Sequence, residues 1–182
     1  QKKKVYLAET AAELDDVRAQ IYRDLEMSGY EIHPSQLLPQ DPLEFNRFVR
    51  DGLGECSMSI HIIGSLSNDR LESMSPYSEA HYKIGQARSQ EQIEIAQRRG
   101  PEDGFSQILW MPPSEPSAEQ DAFVQSLQDH PNFICSSLED LKTVIHDRLN
   151  EQTQSSRMTP DTISFQEVYP KLYLDCDVND VH

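Results

Sequence analysis

The fold is decided by the opening stretch Lys4-Val5-Tyr6-Leu7-Ala8-Glu9-Thr10, which an amphipathic helical pattern follows at once. The apolar run from Val5 to Ala8 predicts a buried strand that ends in polar side chains. The same alternation of strand and helix continues to about residue 150. In open α/β sheets, small molecules bind at the carboxyl ends of the strands. The opening stretch therefore indicates both a fold class and the place to look for a site.

Five predicted strands alternate with five predicted helices along the chain. The strands are expected at residues 5–8, 30–33, 58–63, 107–111 and 133–135, and the helices at 13–27, from 42, at 78–98, at 118–128 and from 138. The near-uniform apolar character of residues 58–63 is typical of a central parallel strand covered on both faces. The sequence thus predicts an α/β fold, namely a flavodoxin-like, doubly wound, parallel five-stranded sheet with helices on both faces.

Several helix ends carry recognisable signals. Thr10 followed by Glu13 predicts a capping box at the start of the first helix, and Gly29 predicts its end. Asp41 and Ser137 are the predicted N-caps of two later helices. These signals define the helix boundaries better than the apolar pattern alone.

Composition bounds the possible partners. The chain has 182 residues, of which 37% are hydrophobic and 26% charged, and its formal net charge is -15. This length suits one domain, or one domain plus a tail. The acidity argues against binding to nucleic acid or to an anionic membrane, because both require clustered Lys and Arg. No apolar run approaches the ~20 residues of a membrane span. The start lacks the apolar segment of a signal peptide, so a cytoplasmic location is expected.

The cysteines and histidines do not suggest a metal centre. Cys56, Cys135 and Cys176 form an odd set without paired spacing, which is not a disulfide framework. Cys56 and Cys135 lie in apolar or strand-like settings and are interpreted as small core residues. His61 lies inside an apolar strand, which favours a core histidine over a catalytic base. With no Cys/His cluster at ligand spacing, no metal is expected.

The end of the chain allows two interpretations of equal weight. Residues 151–168 are polar and are interpreted as a linker after a domain spanning 1–150. Residues 169–182 then contain Lys171-Leu172-Tyr173-Leu174-Asp175, which echoes the opening stretch. This segment is either the start of a truncated second unit of the same type, or a C-terminal strand added to the edge of the first sheet.

Several enzyme classes of this fold are excluded by missing motifs. No Gly-x-Gly-x-x-Gly follows the first strand, and no Walker loop or Gly-x-Ser-x-Gly elbow occurs. The third predicted strand ends Ile62-Ile63-Gly64-Ser65, without the aspartate that a response regulator phosphorylates. The sequence is therefore not that of a standard dinucleotide dehydrogenase, a P-loop enzyme, an α/β-hydrolase or a response regulator.

Glu94 is the remaining candidate for chemistry. It lies between Ile93 and Ile95 on the helix after the third strand. A partly buried carboxylate beside a sheet edge can stabilise a developing cation. The alternative is an ordinary helix-surface glutamate paired with Arg98 one turn later. On periodicity alone, the second interpretation is favoured.

The chain resembles a Toll/interleukin-receptor (TIR) domain of the bacterial type over about residues 4–150. The resemblance rests on an ordered set of segments: Val5-Tyr6-Leu7-Ala8-Glu9-Thr10, Gly29-Tyr30 with loop 34–41, Cys56 and Ser59-Ile60-His61 before Gly64, Gln92-x-Glu94-Ile95-Ala96, and Ile108-Leu109-Trp110-Met111-Pro112-Pro113. Many bacterial TIR domains cleave NAD+ between nicotinamide and ribose. The resemblance therefore implies an NAD+ nucleosidase, with NAD+ as substrate and without a cofactor.

The resemblance also implies residue roles. Glu94 matches the family's catalytic glutamate, which would stabilise the positive charge on the ribose. Ala8, Glu9 and Thr10 would face the nicotinamide end, and Ser65 would line the cleft. The family often carries an aromatic residue one turn before its glutamate, where this chain has Gln90. Tyr77 or Tyr82 is then the expected stacking surface.

The resemblance to TIR domains also implies self-association. Loop 34–41 corresponds to the family's mobile loop, which gates the site and contacts a neighbouring subunit. A homo-oligomer formed through TIR–TIR contacts, active in bacterial defence or signalling, is therefore expected. Two alternatives stay open: an interaction domain without catalysis, and a sensor that binds a nucleotide derivative without cleaving it.

Overall fold

A computed structural model describes residues 3–64, 70, 72–101, 104–113 and 122–157. Over these residues, strands and helices alternate as the sequence predicts. The strands are β1 (Lys4–Leu7), β2 (Glu31–His33), β3 (Met58–Ile62), β4 (Ser106–Met111) and β5 (Phe133–Cys135). The α-helices are α1 (Asp15–Met27), α2 (Pro42–Glu55), α3 (Pro76–Arg99), α4 (Ala122–Gln128) and α5 (Leu138–Arg157), and a 3-10 turn at Ala12–Leu14 precedes α1.

The strands form one parallel five-stranded sheet in the order β2-β1-β3-β4-β5. This order confirms the predicted flavodoxin-like, doubly wound fold. Every residue of β3 is buried, which confirms its predicted place at the centre of the sheet. The direction of winding changes between β1 and β3, so the carboxyl ends of these neighbouring strands define the switch point of the sheet.

Helices cover both faces of the sheet. One face packs against α1 and α5, which bury Ile21, Leu25, Leu141, Ile145 and Leu149. The other face packs against α2, α3 and α4, which bury Phe45, Val49, Leu53, Ile95, Ala96, Val124 and Leu127. Alternate residues of β1 point to opposite faces, with Val5 and Leu7 on the first and Tyr6 on the second. The site considered below is thus held by a sheet that is fixed from both sides.

Most of the predicted helix ends are confirmed. Asp41 Oδ1 accepts hydrogen bonds from the backbone nitrogens of Leu43 and Glu44, both at 3.0 Å. The Asp140 nitrogen donates to Ser137 Oγ at 3.1 Å. Gly29 follows α1 with a φ of 84°, the left-handed conformation that glycine adopts without steric cost.

The predicted capping box at Thr10 is wrong. The Thr10 hydroxyl donates to the Ile62 carbonyl oxygen at 3.2 Å, and the 3-10 turn separates Thr10 from α1. Leu14 stands at the N-cap of α1 and has no side-chain cap bond. The Thr10 hydroxyl is therefore bonded to the end of β3 and not to the backbone of the helix that follows it.

Other boundaries also differ from the predictions. α3 begins at Pro76 after the N-cap Ser75, within the loop that was predicted up to residue 77. α5 continues to Arg157, so residues 151–157 of the predicted linker are helical. The rest of that linker, Cys176 and the predicted strand at 169–182 lie outside the described residues.

The two described cysteines differ in burial. Cys56 is buried as predicted, and desolvation raises the pKa of its thiol to about 12. Cys135 is exposed, so its assignment to the core is wrong. In the described part of the chain, its strand β5 is the last of the sheet, and a neighbouring strand lies on one side of it only.

Among the helices that the structure describes, none is both long and apolar enough to cross a bilayer.

Candidate functional site

A cavity of about 520 Å³ opens at the carboxyl edge of the sheet, beside β1 and β2. Its walls come from the segment after β1, the first turns of α1 and the loop after β2. The lining residues are Glu9, Thr10, Asp15, Arg18, Pro34, Ser35, Gln36 and Leu37. This is the edge at which the opening stretch predicts a site, and the cavity adjoins the switch point between β1 and β3.

Arg18 fixes the end of β1 against α1. Its Nε donates to the Ala8 carbonyl oxygen at 2.9 Å, and its Nη2 donates to the Leu7 carbonyl oxygen at 3.0 Å. The guanidinium thereby satisfies backbone acceptors where the strand ends. Arg18 is also one of the residues that line the cavity.

Glu9 supplies a carboxylate that is held by Arg88 of α3. Nε and Nη2 of Arg88 both lie 3.3 Å from Glu9 Oε2; the Arg88 side chain is 17% exposed and the Glu9 side chain 34%. Arg88 also donates from Nη1 to the Pro39 carbonyl oxygen at 3.0 Å, and its guanidinium lies 4.2 Å from the centre of the Phe45 ring. One side chain thus connects the carboxylate to loop 34–41 and to α2.

Gln92 is the side chain of α3 that reaches the end of β1. Its Oε1 accepts from the Tyr6 hydroxyl at 3.0 Å and from the Glu9 nitrogen at 3.3 Å, while its Nε2 donates to the Arg88 carbonyl oxygen at 3.3 Å. It is completely buried. Burial also raises the pKa of the Tyr6 hydroxyl well above its usual value. At this position the helix therefore presents a neutral amide instead of a carboxylate.

Glu94, the predicted catalytic residue, lies on the outer side of α3. Its side chain is 45% exposed, whereas the neighbouring Ile93 and Ile95 are buried. Gln90 Nε2 donates to Glu94 Oε1 at 3.2 Å, and Arg98 Nη2 lies 3.5 Å from Oε2. This is the surface pairing that the alternative interpretation describes. Glu94 is not part of the lining of the 520 Å³ cavity, which differs from the position that the TIR resemblance implies.

The predicted substrate-binding residues after β1 are brought together only in part. Glu9 and Thr10 line the cavity. Ala8 is buried, and its carbonyl is already bonded to Arg18. The Thr10 hydroxyl donates its hydrogen bond to the Ile62 carbonyl oxygen, and this bond connects the carboxyl ends of β1 and β3.

The other two predicted contacts are not part of this arrangement. Ser65 lies outside the described residues. Tyr77 is strongly exposed near the start of α3, and its ring packs edge-on against His81 with 5.4 Å between the ring centroids. Tyr77 is not among the residues that line the cavity.

Sequence reasoning assigned no role to Asp15 and Arg18, which line the cavity, or to Arg88 and Gln92, which hold Glu9 and the end of β1. Ser35 and Gln36 belong to loop 34–41, which the resemblance does place at the site. Arg88 and Gln92 are spaced by one helical turn and therefore share a side of α3. That spacing could have predicted that the two polar side chains act together. The apolar pattern of this helix is too thin to show which side meets the sheet.

His61 has the core role that the sequence predicts. It is 2% exposed, and its Nε2 lies 3.1 Å from Ser59 Oγ. Desolvation lowers the pKa of the ring to about 3, so it is neutral at physiological pH. In the described part of the chain, no group of three or more His, Cys, Asp or Glu side chains is placed to hold a metal ion.

No protein-family model and no curated protein matches the sequence. Among solved structures, the chain is similar to the CMP N-glycosidase BcmB of Clostridium botulinum, with 17% sequence identity and a TM-score of 0.49. The match covers 79% of this chain and 98% of that one.

Proposed function

We propose that the chain is a TIR-like N-glycosidase that cleaves a nucleotide-type substrate between its base and its ribose, with NAD+ as the substrate. The observation that carries this proposal is the Glu9 carboxylate in the wall of the cavity at the carboxyl edge of β1. A volume of about 520 Å³ falls within the range of small-molecule sites. Arg88 holds the carboxylate in one orientation, so the site is pre-organised.

The chemistry needs one well-placed anion. When the bond between nicotinamide and ribose breaks, its electron pair leaves with the ring, and the sugar becomes oxocarbenium-like. A carboxylate beside that carbon stabilises the positive charge. Water then adds to the carbon and releases a proton to solvent. Because nicotinamide leaves as a neutral molecule, a general acid is not needed, in contrast to the usual plan with two carboxylates.

The charges of the cavity support a substrate with a cationic base. Glu9 and Asp15 contribute two carboxylates, and Arg18 contributes one guanidinium that is already bonded to backbone carbonyls. These carboxylates attract the positively charged nicotinamide ring of NAD+ where it lies beside them, and the neutral base of an ordinary nucleotide gains no such attraction. Ser35 and Gln36 on the opposite wall offer polar groups to the sugar hydroxyls.

The deciding experiment compares two carboxylates. The full chain is incubated with NAD+, and nicotinamide is measured by chromatography. Glu9→Gln removes the charge at nearly constant size, so we expect turnover to fall by about 100-fold or more. Glu94→Gln is the matched control on the outer side of α3, and it should retain turnover within about twofold.

The reverse pattern would move the catalytic role to Glu94, as the TIR resemblance implies. Circular dichroism of both variants checks that the fold is intact. The assay includes a high protein concentration, since the resemblance also implies activity in a homo-oligomer. If the wild-type chain releases no nicotinamide under these conditions, the enzymatic proposal is wrong.

An interaction domain without catalysis is the second candidate. Leu37 and Leu43, on either side of the end of loop 34–41, are both strongly exposed. A contiguous apolar patch marks a protein–protein contact, and these two leucines are the side chains that a TIR–TIR contact at this loop would cover. Sedimentation that shows self-association, together with the absence of nicotinamide release, would favour this candidate. Calorimetric binding of NAD+ without release would instead favour a sensor.

A further inference from the structure

A second cavity, of about 330 Å³, lies between α2 and α3. It is lined by Arg50, Leu53, Gly54, Ile95, Arg98 and Arg99. These residues belong to the last turns of the two helices, which precede β3 and β4. The cavity therefore lies toward the amino edge of the sheet, opposite the edge that carries Glu9. It is independent of the site proposed above.

The lining concentrates positive charge in an acidic protein. Three of the 16 Lys and Arg residues of a chain with net charge -15 surround this one cavity. Arg99 donates to the carbonyl oxygens of Leu53 and Cys56, and its guanidinium lies 4.1 Å from the centre of the Phe105 ring. It thereby offsets the negative partial charge at the carboxyl end of α2.

The other two guanidinium groups are held more loosely. Arg50 donates to Asn46 Oδ1 on the same helix at 2.8 Å. Arg98 is mostly exposed, and its contact with Glu94 is long, at 3.5 Å. An anion in the cavity can replace such a solvent-screened contact at little cost.

The base of the cavity between these cations is apolar. It is formed by Leu53 and Ile95, which are 1% and 6% exposed and lie beneath the arginine side chains. Gly54 leaves free space, because a Cβ added there would meet no atom within 4 Å. The cavity therefore combines cationic groups with an apolar surface and room for a ligand.

We propose that this cavity binds a small organic phosphate, with the phosphate at Arg50 and Arg98 and an aromatic or apolar body against Leu53 and Ile95. Guanidinium groups match phosphate oxygens in number and geometry. The volume fits a small molecule and not the face of a macromolecule.

The test uses phenyl phosphate with the full chain, followed by 1H–15N NMR. We expect shifts of the backbone amide signals of residues 50–54 and 95–99, and none at 35–37. The double variant Arg50→Gln/Arg98→Gln should weaken binding by about tenfold or more. The pair Arg23→Gln/Arg47→Gln carries the same charge change on α1 and on α2 outside the cavity, and it should bind within about twofold of the wild type.

Three outcomes would overturn the proposal. The first is the absence of shifts at millimolar phenyl phosphate, and the second is a loss in the control pair equal to that in the cavity pair. The third is equal affinity for inorganic phosphate, which would exclude a role for Leu53 and Ile95. If the Arg50→Gln/Arg98→Gln variant unfolds, the wild-type spectrum alone decides between binding at this cavity and binding elsewhere, because it shows which backbone amide signals shift. None of these readouts involves turnover, so failure here is distinct from failure of the N-glycosidase proposal.

Discussion

Single polar side chains hold the end of β1 in place. Gln92 is buried with its oxygen bonded to Tyr6 and Glu9 and its nitrogen bonded to the Arg88 carbonyl. An unpaired buried polar group costs about 1–3 kcal/mol, so each of these partners depends on the amide. His61 differs, since among the described residues its Nδ1 has no hydrogen-bond partner and its ring is buried.

The buried ring of His61 makes stability depend on pH. Its folded-state pKa of about 3 lies below the unfolded value of about 6.5. Below pH 6.5 the unfolded chain therefore binds a proton that the folded chain does not, and the free energy of unfolding decreases as the pH falls. From pH 7 to pH 5, this residue should remove about 2 kcal/mol.

Urea unfolding at the two pH values measures this difference. His61→Gln cannot titrate, so its pH difference should be smaller than that of the wild type by about the same amount. His81→Gln, at an exposed position of α3, is the matched control and should behave like the wild type. An unchanged pH difference in His61→Gln would show that the buried ring is not the cause.

At the level of elements, helix starts are fixed by a few local bonds. Asp41 caps α2 through two backbone nitrogens, immediately before Pro42 at the first helical position. Ser75 caps α3 in a similar way, with Pro76 following it. These caps place the two helices whose side chains reach the site and the second cavity.

Asp41→Ala tests the cap of α2. Loss of both accepted hydrogen bonds should lower the free energy of unfolding by about 1 kcal/mol. Asp51→Ala makes the same chemical change in the last part of α2, where Asp51 forms an exposed ion pair with Arg47. Its effect in the same urea titration should stay within about 0.5 kcal/mol. Equal losses in the two variants would contradict the assigned cap.

Local patterns account for what the sequence predicted and for what it missed. The strands and the caps at Asp41 and Ser137 were predictable because neighbouring residues determine them. The bond from Thr10 to the Ile62 carbonyl was not, because its partner is distant in the chain. For the site, Glu9 was predictable as a polar residue after β1. Arg88 was not, because the weak apolar pattern of α3 does not show which side meets the sheet.

At the level of the whole molecule, the well-packed core stabilises the fold, and repulsion within the strongly acidic surface destabilises it. The sheet is buried on both faces, and Trp110, the only tryptophan, is 1% exposed. The ion pairs of the described residues mostly involve exposed side chains and add little to stability. Repulsion within a net charge of -15 is therefore the main long-range electrostatic effect on the fold.

Salt should stabilise the protein by screening this repulsion. Raising sodium chloride from about 20 to about 500 mM shortens the Debye length to a few ångströms. We expect a gain of about 1 kcal/mol, or a rise of about 2–4 °C in Tm. Trp110 fluorescence during heating reports the transition. Choline chloride at equal ionic strength should give the same rise, and a rise limited to sodium would indicate specific cation binding instead.

The guanidinium of Arg88 connects three separate parts of the molecule. It contacts the Glu9 carboxylate, the Pro39 carbonyl oxygen in loop 34–41 and the Phe45 ring of α2 at the same time. A displacement of the Glu9 carboxylate would therefore also disturb the contacts of Arg88 with Pro39 and Phe45. One side chain thus couples the position of this carboxylate to the position of loop 34–41.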